Sequence, residues 1–215
     1  MIKALFFDLD GTISDTDAVH LANWLELLRP HGIDVDMNLY KGYLSSGSSR
    51  EIIEELLPGL SQEQKNELVE REASGYRNRL TQTGPITGLR AFLEEARDRG
   101  LSVVLVSNAT KEDARNSLEG LGLKGTFEPT IFAEDVGVEK PAPDPYVAAL
   151  EELGISPEEA LAFEDSPSGI GGAVEAGIPV VGLSSTHGPN ELREAGAEFV
   201  VGDFADQALY DKLEG

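Results

Sequence analysis

Strand-like and helix-like segments alternate along most of this chain. That alternation predicts an α/β fold: a doubly wound, Rossmann-like parallel sheet with a small all-helical domain inserted after strand 1. Three observations carry the expectation. Short, near-continuous apolar runs suit strands covered on both faces, as parallel strands are. The segments between them set apolar residues at helical spacing. Residues 15–82 break the alternation and read as helix only.

The first strand is ALFFDLD (4–10), followed by the insertion. DAVHLANWLELLRPHG reads as one helix, SSREIIEELLPG as a second and SQEQKNELVEREASGYRNRL as a third. The third opens on Ser61 and Gln64 in capping-box spacing and sets Leu68, Val69, Tyr76 and Leu80 roughly on one face. TGP at 83–85 closes it, so the expected domains are 1–14 with 83–215, the α/β core, and 15–82, the helical insertion. Next, GLRAFLEEARDRG gathers Leu89, Phe92, Leu93 and Ala96 on one face and stops at Gly100. LSVVLVSN (101–108) is a Val- and Leu-rich strand, and Thr110 stands where it can cap the helix of TKEDARNSLEGLG. PTIFAEDV (129–136) reads as a further strand. DPYVAALEELG has Pro145 near its start and Gly154 at its end, as a helix should. ALAFEDS (160–166), IPVVGLS (178–184) and EFVVGDF (198–204) complete the strands.

Composition narrows the chemistry. The 215 residues are 40% apolar and 26% charged, an ordinary soluble balance. No window holds ~18 uninterrupted apolar residues, and the N-terminal MIKALFFDLDGT lacks the apolar stretch of a secretory signal. A cytoplasmic protein without a membrane partner is therefore expected, as a monomer or weak homodimer. Cysteine is absent, which excludes disulfides and thiolate chemistry. With three scattered histidines, oxygen ligands and a hard ion such as Mg²⁺ are favoured for any metal. A net charge of −22 repels nucleic acid and anionic membranes. The acids are spread along the chain, which suits a solubilising surface, adapted to high salt or not, better than a site for a cationic partner.

Four strand or loop ends carry candidate chemistry. Asp8 and Asp10 close the first strand with one leucine between them, and they point together if the strand continues through both. Such a pair needs a cation or a proton. An ionised aspartate can attack phosphorus, and a protonated one can serve a leaving group. Ser107 ends VVLVSN, where a hydroxyl either bonds a phosphoryl oxygen or makes a turn. Lys140 in VEKPAPDPY is either a compact positive charge for phosphate or a solvated lysine. Glu164 and Asp165 end ALAFED, as ligands or as the acidic start of a helix.

The DLDGT after ALFF resembles the first motif of the haloacid dehalogenase superfamily. The other three stretches match its later motifs in type and order, at spacings of about 100, 30 and 25 residues. The likeness covers essentially the whole chain and is to the subgroup with a helical cap, which holds small-molecule phosphatases and β-phosphoglucomutase. The resemblance implies that Asp8 is a nucleophile forming an aspartyl-phosphate and that Asp10 is the general acid, then base. It implies Mg²⁺ held by Asp8, Asp165 and the backbone carbonyl of Asp10, with Glu164 beside the metal. Ser107, Lys140 and backbone N–H groups near Leu9, Asp10 and Asn108 then bind the phosphoryl group. Because Asp10 is kept, the expected substrate is a small phosphate ester and the expected enzyme a Mg²⁺-dependent phosphomonoesterase. A phosphosugar mutase and a catalytically silent binding protein are the alternatives.

The insertion supplies further candidates. His20 stands where relatives carry a functional histidine, and otherwise it packs; Trp24, four residues on, reads as core. SSGSSREII resembles a loop that presents an arginine to substrate, which makes Arg50 a candidate against the plain reading of an exposed first-turn arginine. Where many relatives have a lysine four residues before a tyrosine, this chain has Glu72 before Tyr76. A positive contact for a second phosphate is then missing, unless Arg71 or Arg77 compensates.

Overall fold

A computed structural model describes residues 1–44 and 48–214. The first strand, β1 (Ala4–Phe7), has all four residues buried and ends one residue before Asp8. The alternation of a strand therefore does not reach Asp10, which stands in the turn that follows, exposed. Gly11 makes that turn possible with φ 79°, a backbone region that side chains disfavour.

The chain divides into two compact units, Met1–Asp15 with Pro85–Gly215, and Thr16–Gly84. The second unit contains α1 (Thr16–Leu28), α2 (Met37–Leu39), α3 (Ser49–Leu56) and α4 (Gln62–Thr83). The helix expected to run through Gly32 stops at Leu28, and Arg29–His31 form a tighter turn. Pro30 explains this, since its ring meets the carbonyl four residues back and it offers no N–H. α2 and the wide turn Tyr40–Leu44 went unread, being too short for a period to show. Asp36 caps α2 through the Leu39 N–H at 2.7 Å. Ser48 with Glu51 and Ser61 with Gln64 form capping boxes on α3 and α4. Trp24 is core, 2% exposed, and packs with Leu28, Tyr40, Ile52, Ile53 and Leu68.

The first unit continues with α5 (Leu89–Asp98), β2 (Ser102–Ser107), α6 (Lys111–Gly120), β3 (Thr130–Phe132) and α7 (Ala133–Val136). α8 (Asp144–Leu153), β4 (Ala160–Glu164), α9 (Pro167–Glu175), β5 (Val180–Leu183), α10 (Pro189–Glu194), β6 (Phe199–Val201) and α11 (Gln207–Glu214) follow. The strand expected over 129–136 lasts only three residues before α7 begins. Glu134 and Asp135 fall in the first turn of that helix, where the backbone dipole favours acids.

Six strands form one sheet in the order β3-β2-β1-β4-β5-β6. Every neighbouring pair is parallel, so the doubly wound fold is as expected. The chain builds outward from β1 to β3, then crosses back to lay β4 on the other side of β1. That reversal makes the carboxyl ends of β1 and β4 a switch point, where open α/β sheets bind ligands. Side chains alternate across the sheet. Phe6, level with Val104 and Ala162, joins a layer with Tyr146, Ala149 and Ile170. Phe7, level with Leu105 and Phe163, faces the other layer, where it stacks on Phe163 at 4.7 Å and meets Phe127 and Phe204 edge-on or tilted.

Candidate active site

At the switch point Asp8 leaves β1 with its backbone N–H still bonded to Phe163 O at 3.1 Å, so the strand pairing fixes its position. β4 ends beside it in Glu164 and Asp165. Carboxylate oxygens of Asp8, Glu164 and Asp165 lie within 4.8 Å of one another. Lys140 reaches this group from the loop between α7 and α8. Its Nζ donates to Asp8 Oδ1 at 2.6 Å, Glu164 Oε1 at 2.7 Å and Val106 O at 2.8 Å, which uses all three ammonium protons.

Other side chains hold Lys140 in place. Asn108, after β2, donates to Lys140 O at 3.2 Å and accepts from Lys140 N–H at 3.0 Å. Its side chain thus grips the lysine's backbone, a contact that reading only its backbone N–H overlooked. Tyr146 donates to Glu164 Oε1 at 2.6 Å, and its ring lies 5.4 Å from the Lys140 ammonium. Ser107 is buried, and its Oγ accepts from Ala109 N–H at 3.0 Å. Glu164 lies against the start of α9 so closely that a Cβ on Gly169 would come within 1.9 Å of it.

Asp165 is held by residues that sequence reasoning missed. The Thr186 hydroxyl donates to Asp165 Oδ2, and Thr12 donates to Oδ1 at 3.4 Å. Thr12 is the last residue of DLDGT. Thr186 follows β5, which lies beside β4, so the polar SSTHG after an apolar strand was the available signal. Ser185, in the same loop, donates to Gly11 O. A Cβ on Gly11 would fall 2.2 Å from Asp165 Oδ2, so this turn requires glycine twice over.

Three carboxylates against one ammonium leave an excess of negative charge in a buried place. Burial raises Glu164 to about 7, with Asp8 adding to the rise and Lys140 opposing it. Burial also raises Asp165 to about 8, helped by Asp8 and Glu164 and opposed by Thr186. Burial alone would lower Lys140, but Asp8 and Glu164 outweigh it and the ammonium is held charged, its pKa raised. An excess of hard, converging oxygens is what a divalent cation such as Mg²⁺ fits. Among the described residues these three are the acids that converge, and Asp10 is not one of them.

A pH prediction follows from the two raised carboxyls. The folded protein, free of metal, holds protons that the unfolded chain has lost above its ordinary values of 4.5 and 3.8. The stability this supplies is complete below those values and is lost as pH climbs through about 7 and 8. In EDTA, the melting temperature is expected to fall between roughly pH 5.5 and 8.5, and added Mg²⁺ should restore more of it at the upper end. Melts across that range check it, and a rise with pH would contradict it.

In the helical unit, His20 stacks on Tyr76 at 4.0 Å and lies 3.7 Å from Glu72. Glu72 is buried and accepts from Asn23 at 3.1 Å and Ser49 at 2.9 Å. Burial pushes this carboxyl up, but His20, Ser49 and Asn23 outweigh it and hold it below its ordinary value. Arg50 is exposed and donates to Asn66 at 2.9 Å. Residues 45–47 of the stretch read as an arginine-presenting loop lie outside the described residues.

The model of a family described as haloacid dehalogenase-like hydrolase matches residues 5–183. Validoxylamine A 7'-phosphate phosphatase of Streptomyces hygroscopicus subsp. limoneus is 29% identical over 197 residues, 91% of this chain and 92% of that protein. Beta-phosphoglucomutase of Bacillus subtilis is 27% identical over 217 residues, 97% of this chain and 92% of its own. A HAD family hydrolase from Deinococcus radiodurans R1, solved with bound phosphate and sodium, has a TM-score of 0.80 at 24% identity, covering 98% of this chain and 96% of that one. No described helix is long and apolar enough to cross a membrane.

Proposed function

The chain belongs to the haloacid dehalogenase-like hydrolase family, and from that premise we propose that it is a Mg²⁺-dependent phosphomonoesterase working through an aspartyl-phosphate on Asp8. One observation carries the reading. Asp8 stands at the switch point with its carboxylate held by a buried lysine and grouped with two further buried acids.

Asp8, Asp165 and the Asp10 carbonyl would hold the metal, which would supply positive charge to offset repulsion between the substrate phosphate and the carboxylates. Lys140 and Ser107 bind the phosphoryl oxygens, and Asn108 keeps the lysine in register. Asp8 forms a bond to phosphorus as the ester P–O bond breaks. Asp10 gives its proton to the departing oxygen, so an alcohol leaves. Asp10 then takes a proton from water, the water oxygen bonds phosphorus, and the P–O bond to Asp8 breaks to release phosphate. Such a reaction depends mostly on position and charge neutralisation, which a preformed buried cluster provides. The helical unit Thr16–Gly84 is the cap in this proposal, and its residues set the choice of leaving group.

Release of inorganic phosphate from a panel of phosphorylated sugars, nucleotides and short acids tests the reading. EDTA is expected to abolish that release and excess Mg²⁺ to restore it. Release from any ester that persists unchanged in EDTA would contradict the metal assignment. The likeness to beta-phosphoglucomutase keeps a mutase as the second reading. Glu72 speaks against it, because this buried carboxylate, partnered by Asn23, Ser49 and His20, occupies the sequence position where many of the resembled relatives carry a lysine, a positive contact for a second phosphate. Incubation with β-glucose 1-phosphate and a trace of the bisphosphate decides: hexose 6-phosphate without free phosphate establishes the mutase.

A further inference from the structure

We infer that Thr186, backed by His187, is a positioning residue that fixes the Asp165 carboxylate for a divalent cation. The inference deepens the proposed function and rests on Asp165 being a metal ligand.

Thr186 Oγ1 contacts Asp165 Oδ2, lies 3.2 Å from Asp165 O and 2.9 Å from His187 Nδ1. A hydroxyl has one proton, and in the ionised form of Asp165, the form that binds a cation, the carboxylate oxygen takes it. Thr186 Oγ1 is then an acceptor toward His187. His187 Nδ1 also lies 3.0 Å from Asp165 O, a carbonyl that can only accept. Both neighbours of Nδ1 therefore require it to carry the hydrogen. A directed chain results, from His187 Nδ1–H to Thr186 Oγ1–H to Asp165 Oδ2.

The chain is anchored on three sides. Ser184 bonds Val201 O through its N–H at 2.9 Å and its hydroxyl at 3.2 Å, which ties the loop to β6. Ser185 bonds Gly11 O, tying it to the turn after Asp8. The Gly11 backbone closes on Oδ2 from the third side. Thr186 and the Gly11 turn thus fix Oδ2, and Thr12 meets Oδ1 at 3.4 Å, so the plane of the carboxylate is set from both oxygens. Partners of this kind, one step behind a ligand, typically change metal affinity by ~10- to 100-fold when removed.

The test is the Mg²⁺ half-saturation concentration, obtained on metal-free protein by fitting the rise in melting temperature to RT ln(1 + [Mg²⁺]/Kd). Thr186→Val, which keeps shape and loses the hydroxyl, is expected to raise that concentration about 10-fold or more, and Thr186→Ser to stay within about threefold of the unaltered protein. His187→Leu is expected to raise it about threefold or more, within the same range of effects. A loop that serves only as structure would lower the metal-free melting temperature and leave the half-point in place, and that result overturns the inference. If Thr186→Val does not fold, His187→Leu decides alone, and an unchanged half-point overturns it. Unaltered protein that shows no response to Mg²⁺ overturns both this inference and the metal reading beneath it, which separates the two failures.

Discussion

Asp8→Asn is expected to abolish phosphate-ester hydrolysis, by roughly four orders of magnitude or more, while the protein stays folded. Asparagine has nearly the same shape, and its Oδ1 can still accept from Lys140. The Asp8 N–H bond to Phe163 O is a main-chain contact and survives the change. The substitution also removes one negative charge from a group that carries an excess of them, which relieves repulsion with Glu164 and Asp165. The amide cannot make an acyl phosphate, so chemistry is lost without a structural cause. Initial rates of phosphate release with Mg²⁺, beside a circular-dichroism melt in EDTA, read the two halves separately. Activity within tenfold of the unaltered protein would remove Asp8 as the nucleophile.

Lys140→Met is expected to be costly to stability as well as to rate, and the stability cost should depend on pH. The lysine side chain is 3% exposed and is the partner of two buried carboxylates. Taking one partner from a buried ion pair leaves an uncompensated charge and typically destabilises by about 3–5 kcal/mol. Glu164 retains Tyr146 as a donor, but Val106 O loses the Lys140 bond. That penalty applies to ionised Glu164. It applies fully above pH 7, whereas at lower pH the carboxyl is protonated in the folded state and the loss shrinks. Urea unfolding at pH 5.5 and pH 8 measures the difference. Equal losses at the two values, or a loss under about 1 kcal/mol at pH 8, would show that the lysine does not balance Glu164. Hydrolysis should fall by about 10²- to 10³-fold, the size of effect expected for a lost charge-stabilising donor.

Much of this architecture was readable in the residues, and the unread parts share a cause. Strands buried on both faces announce themselves as apolar runs, so β1, β2, β4 and β5 were located, and the apolar FVV located the partly buried edge strand β6. β3 was overextended, because IFAEDV has strand-like residues at its start and an acidic helix turn at its end. α2 escaped, since three residues carry no period. Asp8, Lys140, Glu164 and Asp165 could be named because each is a charge standing at the end of an apolar or proline-marked stretch. Thr12, Thr186 and His187 could not, since a hydroxyl or imidazole in a loop looks like any solvated residue until its partner is known, and Tyr146 on α8 reads as a core aromatic. Those partners lie across the fold: Tyr146 reaches Glu164 over 18 residues, but Thr186 reaches Asp165 over 21 and Thr12 reaches it over 153. Burial of Lys140 was equally invisible, because a surface lysine and a buried one are spelled alike.

Such reach along the chain sets the timing of assembly. Asp8 and Lys140 are 132 residues apart in sequence, and Gly11 and Ser185 are 174 apart. Contacts closed over such long loops form slowly, since the chain must surrender freedom before it gains anything in return. During synthesis Asp8 emerges well before Lys140 and before the loop of Ser185 that braces its crevice. A chain halted before β5 has Asp8, Lys140 and Asp165 but lacks Thr186, which holds Asp165. Competence therefore arrives only after β5 and the loop behind it are made, and products truncated before them should be inert as well as unstable.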